Sequence, residues 1–401
     1  MSENQELPKG WKQCLIGEVA DTQLGKMLNS SKQTGTAAMP YLRNINLRWG
    51  RVDLDDLKSM DVFAAEQPKF TLRFGDVLVC EGGEPGRSAV WETNTPMAFQ
   101  NAIHRIRTGD SLAPHFLCFQ FEWLTKNGHL DDFFTGVTIK HFSQDKLRRV
   151  QVPLPPLAEQ EKIVEILEEQ LSRLDASLES LRIIREKAAA FRRSLLHAAF
   201  TGALTGHNSK NGELPKGWGG STVGEIATIA TGKIDVNAAV AGGEFPFFTC
   251  ARETYRIDVA PYDGKAVLVA GNGDLNVKYY EGRFNAYQRT YFLFSRDELS
   301  FLPKYLFHFL QIYVHHLRRI SIGTTIKYIK LGDLKDARIP LPPLAEQEKI
   351  VEILEEQLSR LDASLALVDS IEKSTSALRR SLLHSAFTGK LTKTWREENN
   401  V

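Results

Sequence analysis

The chain contains itself twice. Residues 153–178 read PLPPLAEQEKIVEILEEQLSRLDASL, and residues 340–365 repeat them letter for letter, 187 positions on. At the same offset FRRSLLHAAFTGALT (191–205) matches LRRSLLHSAFTGKLT (378–392), and GVTIKHF (136–142) matches GTTIKYI (323–329). A second match, ELPKGW at 6–11 and 213–218, runs at an offset of 207, and each copy is followed by a Gly-Glu pair (Gly17-Glu18, Gly224-Glu225). The offsets differ by 20, so a conserved frame surrounds a variable middle that is 20 residues longer in the first copy. A repeat of this size dictates the architecture before any local reading does. The pattern is a duplicated scaffold carrying two modules with different tasks.

Each frame encodes one long helix. Pro155-Pro156 suit a helix start. Apolar residues then fall in a heptad at Val164, Leu167, Leu171, Leu174, Leu178 and Leu181, break at Arg185, and resume at Ala188, Phe191, Leu195 and Ala198. The second copy gives Val351, Leu354, Leu358, Leu361, Leu365 and Val368, then Leu378 and Leu382. Gly202 and Gly389 are natural stops. Each helix would span roughly 65 Å, and a seam that long calls for a partner. Residues 159–169 hold five Glu and one Lys, while 187–197 hold Lys187, Arg192 and Arg193 and no acid, and the second copy repeats the asymmetry. Antiparallel pairing would set each acidic start beside the other's basic end; acids at N-termini and bases at C-termini also suit each helix's own dipole.

The middles, residues 12–151 and 219–338, mix short β-like runs with Gly, Pro and Asn. Val77-Leu78-Val79-Cys80 and Ala266-Val267-Leu268-Val269-Ala270 read as buried strands. Helices are expected near 114–126 and 302–319, and Thr205–Gly212 reads as a linker. With 50 Lys+Arg against 49 Asp+Glu the chain is no polycation, although local basic patches remain: residues 318–338 carry six Lys/Arg and two Asp. Four well-separated cysteines argue against structural zinc and against a disulfide framework. No apolar run approaches the roughly 20 residues of a membrane span. The first residues lack a basic segment followed by an apolar one, so no secretory signal is expected and a cytoplasmic location fits.

Catalytic motifs are missing. There is no P-loop, Gly271-Asn272-Gly273-Asp274 has no third glycine and reads as a turn, and no Asn-Pro-Pro-aromatic tetrad for amino methylation occurs. His315-His316 are adjacent on an expected helix and point apart, which disfavours a metal pair.

PLPPLAEQ opening a long helix that ends in FTGxLT, present twice, together with ELPKGW…GE before each variable module, resembles the specificity (S) subunits of type I restriction–modification systems. The resemblance covers essentially the whole chain. Pro40–Asn46, Trp49-Gly50-Arg51, Gly75-Asp76 and Glu81–Arg87 look like one recurrent class of target-recognition domain. The resemblance implies an α+β fold: two α/β target-recognition domains separated by two long helices that pair as an antiparallel coiled coil about a pseudo-two-fold axis. The corresponding division is a first recognition domain (1–151), a central helix (152–205), a linker with the second domain (206–338) and a C-terminal helix and tail (339–401). It also implies that each domain reads one half of a bipartite site in double-stranded DNA and that the helices set the gap. Two methyltransferase (M) subunits would dock on this chain and hold S-adenosylmethionine, so this chain needs no cofactor of its own; restriction/translocase (R) subunits would join for cleavage. Without the resemblance, a tandem-domain structural adaptor binding proteins is an equal reading.

Candidate DNA contacts follow from side-chain chemistry, since Arg suits guanine and Asn or Gln suits adenine. In the first module these are Arg43, Asn44, Asn46 and Arg48, then Arg87, then Gln100, Asn101 and His104. In the second they are Asn272, Asn276, Lys278, Gln288 and Arg289. The shared loop supplies Thr138 and Lys140, and Thr324, Thr325 and Lys327. A shared sequence cannot distinguish two different half-sites, so if it touches DNA it should touch phosphate.

Overall fold

The computed structural model describes residues 7–29, 33–136, 140–207, 213–297 and 300–399. Two compact units emerge: residues 1–180 with 370–401, and residues 181–369. Each long helix therefore contributes to both units.

In the first unit the principal strands are β1 (Lys12–Leu15), β2 (Ala20–Leu24), β3 (Ala38–Leu42), β4 (Lys58–Asp61), β5 (Val77–Cys80), β6 (Ser88–Val90), β7 (Ala98–Phe99), β8 (Ile103–Thr108) and β9 (Gln151–Leu154). Their counterparts in the second unit are β10 (Gly219–Thr222), β11 (Ala227–Thr231), β12 (Phe245–Phe248), β13 (Tyr255–Ile257), β14 (Lys265–Ala270), β15 (Val277–Glu281), β16 (Asn285–Ala286), β17 (Thr290–Ser295) and β18 (Arg338–Leu341). The orders of these strands match one for one, and unit one adds a two-stranded ribbon, Leu47–Arg48 with Arg51–Val52, that has no counterpart among the described residues of unit two. A four-stranded sheet runs β2-β8-β5-β6 in one unit and β11-β17-β14-β15 in the other; a three-stranded sheet runs β4-β3-β7 and β13-β12-β16; β1 pairs with β9 and β10 with β18. In both units the β3–β7 or β12–β16 pair is parallel. Two dissimilar middles thus build one topology.

The strand signal works because these runs are buried on both faces. Val77 and Val79 turn toward one core with Phe116, Phe121 and Leu167, while Leu78 and Cys80 turn toward another with Leu42, Trp91 and Phe99. The alternation is the period of two expected of a strand. In β14, Val267 and Val269 face one core, and Ala266 and Leu268 face the other. The helix on the first face is α1 (Pro114–Lys126) in unit one and α3 (Pro303–Ile320) in unit two; both start at proline, whose missing N–H costs nothing in a first turn.

The long helices are α2 (Leu157–Phe200) and α4 (Leu344–Phe387). They begin after the Pro-Pro pairs and end before Gly202 and Gly389, whose φ values of 81° and 72° are left-handed. Within unit one, Arg379 of α4 donates to Asp175 of α2 at 2.9 Å. Within unit two the repeat-related pair is Arg192 of α2 with Asp362 of α4, and Arg185 joins Asp369. In each unit an early part of one helix meets a late part of the other, so the pairing is antiparallel. The ion pairs use Asp175 and Asp362 rather than the glutamates of the acidic starts.

The seam is seen in part as expected. Leu167, Leu171, Leu181, Val351, Leu354, Leu358 and Val368 are buried, and Val164, Leu174, Leu178, Leu361 and Leu365 are half-buried. The resumed stripe needs correction: Phe191 is 47 % and Leu378 55 % exposed. Past Leu181 the buried line of α2 passes through Ala188, Leu195, Leu196 and Ala199, because this end packs on its module as well as on α4. Ile163 and Ile350, outside the heptad, are fully buried for the same reason.

The frame motifs meet at one node per unit. In unit one Glu159 accepts from Trp11 Nε1 at 2.9 Å, from Thr392 Oγ1 at 2.6 Å and from Arg396. In unit two Glu346 accepts from Trp218 Nε1 at 3.0 Å, Thr205 Oγ1 at 2.6 Å and His207 Nε2 at 2.8 Å. Burial opposes ionisation of Glu346, but the bonds from Thr205, His207 and Trp218 outweigh it and hold its carboxyl below the usual range. The adjacent Gln160 and Gln347 make matched bonds: each accepts from the residue preceding α1 or α3 (Ala113 N, 2.9 Å; Leu302 N, 3.0 Å) and donates to the Pro-Pro turn at its own helix start. The repeated letters are thus the residues that tie module to helix.

Two buried histidines give a pH prediction. His104 of β8 is fully buried, and burial pushes its pKa down to about 4 against the opposing pull of a bond from Nε2 to Phe142 O. Burial likewise takes His308 of α3 down to about 4. The unfolded chain binds these protons at about 6.5, so stability falls as pH drops through the window from about 6.5 to about 4. Each unit should lose about 2 kcal/mol between pH 7 and pH 5 from its histidine alone. Urea unfolding at the two pH values measures this; identical midpoints would refute it.

Candidate nucleic-acid interface

At one edge of each four-stranded sheet the variable loops converge on the shared loop. In unit one, Gly82 bridges His141, Phe142 N donates to Glu81 O at 2.8 Å, and Lys26, just past β2, bridges Gln100. Arg87 reaches the Asn44 carbonyl at 2.8 Å. This gathers residues 43–46, 81–87, 99–102 and the ends of the 135–141 loop. In unit two, Asn272 bridges Tyr328, Gly273 N donates to Lys327 O at 2.8 Å, and Ile234 bridges Tyr287. The Gly-rich segment 271–274 is a turn, with Gly273 at φ 69°, and it rests against the shared loop.

The candidates divide into those spent on the fold and those presented outward. Asn46 is 2 % exposed; its Oδ1 accepts from Arg43 N at 3.0 Å and its amide donates to Asp53 O and Asp56 O. His104 is fully buried. Neither reaches a base edge in this fold, which corrects the sequence expectation for both. Arg43 is held by Asp56 at 2.7 Å, and Arg87 by Glu84 at 2.8 Å, each with a mostly buried side chain. Asn276 donates to Cys250 O and Asp274 O, both at 2.9 Å. Lys278 donates to Ala251 O at 2.5 Å, and burial lowers its pKa. All four are committed to shaping loops.

The rest face outward. Arg48 is exposed and only loosely paired with Asp53 at 3.7 Å. Asn44 makes one long bond to Gly82 O at 3.5 Å. Gln100, Asn101 and Asn272 are half-buried at the edge, and Gln288 and Arg289 are exposed beside it. Lys140 is exposed, 3.3 Å from Asp131; Thr324, Thr325 and Lys327 are exposed. Thr138 lies outside the described residues. Sequence reasoning missed His141, whose Nδ1 lies 3.0 Å from Glu81 Oε1 in the middle of the cluster. The available signal was its repeat counterpart Tyr328, an aromatic ring at the matched place. Chemically each edge offers amides, guanidinium groups and ammonium groups on loops set by a rigid sheet, the set needed to bind phosphates and read base edges.

The family described as the type I restriction modification DNA specificity domain matches residues 8–185 and again 215–371. The chain belongs to this family. It is 38 % identical over 189 residues to the EcoDI specificity subunit of Escherichia coli, a match covering 47 % of this chain and 42 % of that one. The chain thus spans less than half of that relative. The match to the EcoKI specificity subunit of Escherichia coli K12 is 22 % identical over 436 residues and covers 98 % of this chain and 92 % of the relative. Among solved structures, a chain from work on complex assembly and conformational transition of the type I R-M system superposes with a TM-score of 0.71 at 20 % identity, covering 97 % of this chain and all of that one. The HsdS subunit from Thermoanaerobacter tengcongensis gives 0.55 at 20 % identity, covering 98 % of this chain and all of that one. At those identities the likeness speaks for the fold. No helix among the described residues is long and apolar enough to cross a membrane.

Proposed function

We propose that this chain is the non-catalytic DNA-reading subunit of a type I restriction–modification assembly. Each unit binds one half of a bipartite site in double-stranded DNA, and the paired helices set the gap. Two M subunits, holding S-adenosylmethionine, dock on the frame and methylate adenine; R subunits join for cleavage. The observation that carries the reading is the repetition of one nine-strand topology whose edge loops differ in sequence while the loop beside them is shared. Differing loops suit differing half-sites, and the shared loop suits the common backbone. The adaptor reading gains nothing from the family match.

Mapping modified bases in DNA from cells carrying the complete system tests the proposal. One bipartite motif should depend on this chain. Exchanging residues 12–151 for another such module should change one half of the motif and leave the other. A change in both halves, or no dependent motif, would overturn independent reading.

Lys140→Ala and Lys327→Ala should each weaken DNA binding without changing the preferred sequence. Each should also flatten the salt dependence by about one unit of slope. An altered base preference in titrations against variant duplexes would mean that these lysines read bases.

A further inference from the structure

One matched position differs in charge between the units, and the difference leaves a basic cleft in the second. The bonds from Gln160 and Gln347 to Ala113 N and Leu302 N start α1 and α3 in the same register. Nine residues beyond these anchors stand Glu122 in α1 and Gln311 in α3. Glu122 is 6 % exposed and takes Arg379 bidentately, Nε to Oε1 at 2.9 Å and Nη2 to Oε2 at 3.3 Å. Arg192 is the repeat counterpart of Arg379 and keeps the matched partner Asp362. Where the carboxylate of Glu122 would stand it has a neutral amide. The Gln311 side chain lies against the buried imidazole of His308.

Beside Gln311 a cleft of about 300 Å³ opens, lined by Arg192, Arg193, Arg252, Arg318 and His315. Asp362 answers Arg192; Asp274 is shared between Arg252 at 2.7 Å and Arg318 at 3.3 Å. Four guanidinium groups against two carboxylates leave an excess of two positive charges. The cleft also borders Leu275 and Asn276, in the turn from β14 to β15. That turn carries Asn272 and Gly273, which meet the shared loop. The cleft and the proposed reading edge therefore share the turn from β14 to β15, and forked guanidinium donors match phosphate oxygens.

We propose that the second unit clamps one DNA backbone phosphate in this cleft, and that the first unit has no equivalent because Glu122 fills the matched place. The inference rests on the DNA-reading function proposed above. The test is Gln311→Glu in the full chain assembled with its methyltransferase subunits. The variant places the first unit's carboxylate beside Arg192, so thermal stability should not fall. DNA affinity should fall, the salt slope should flatten by about one unit, and the preferred sequence should stay the same. In duplexes with single neutral methylphosphonates, the original chain should be sensitive at one position next to the second half-site, and the variant should be markedly less sensitive there. An unchanged slope and unchanged sensitivity overturn the clamp and leave the reading function standing. Weakened methyltransferase docking with DNA binding intact assigns the cleft to a protein carboxylate and also overturns it. An original assembly with no sequence preference overturns the reading function and the clamp together.

Discussion

Glu159→Ala is expected to destabilise the first unit by about 3–5 kcal/mol, the usual cost of removing one partner from a buried ion pair. Glu159 is fully buried, and the Arg396 side chain is only 10 % exposed. Its loss strands a guanidinium group, the Trp11 indole and the Thr392 hydroxyl in one place. The matched Glu346→Ala should cost less, about 1–3 kcal/mol, because the donors it strands are a hydroxyl, an indole and an imidazole rather than a guanidinium group. Glu346 is also 19 % exposed, so water can replace part of what it loses. The sign of its pH dependence follows from its lowered pKa: its contribution is present above the unfolded carboxyl pKa and is lost as pH falls through the folded one. Urea unfolding of both variants tests the ranking. Arg396→Ala should recover part of the loss when added to Glu159→Ala, since the stranded charge is removed. Equal losses at Glu159 and Glu346 would show that the arginine adds nothing.

The node also shows where sequence reading stops. Both helix ends were legible, because Pro-Pro before and Gly after are local chemistry. Which FTGxLT completes which unit was not, because near-identical copies cannot reveal their partners. Only the fold shows that Thr392, after α4, serves Glu159 of the first unit, while Thr205, after α2, serves Glu346 of the second.

The modules were less legible than the frame. Val77–Cys80 and Ala266–Ala270 could be read as strands from apolar runs alone, but the order of strands in a sheet depends on long-range pairing. Their common topology is therefore absent from the letters. At the candidate interface, residue type singled out some side chains that face outward and others that the fold itself uses. Arg43, Arg87 and Asn46 have the chemistry of base readers, yet a buried backbone that turns sharply also needs donors, and these residues supply them. The Glu84–Arg87 pair at i,i+3 was visible in advance as a reason to discount Arg87. Nothing local signalled that His104 would point inward rather than toward the edge.

Gly25→Ala should disrupt the first reading edge without touching any candidate contact. A Cβ at Gly25 would lie 2.1 Å from Gln100 O and 2.4 Å from Gln100 C. These are backbone atoms and cannot swing aside. The crossing is pinned by Gly25 N to Ile103 O and Lys26 N to Phe99 O, both 2.9 Å, so relief means prising β2 from the segment that carries Gln100 and Asn101. Overpacking of this kind costs about 1–3 kcal/mol, occasionally more, and the upper end is expected where backbone meets backbone. Gly232 is the matched residue, and its Cβ would lie 1.7 Å from Ala286 O, so Gly232→Ala should do the same to the edge holding Gln288 and Arg289. The effects should be local to each unit. Gly25→Ala should relax base preference in one half-site, and Gly232→Ala in the other, at temperatures where both variants remain folded. Titration against duplexes altered in one half-site at a time reads this directly. An alanine variant with unchanged stability and discrimination would mean that the crossing is looser than the structure has it, and that the reading loops take their positions from elsewhere.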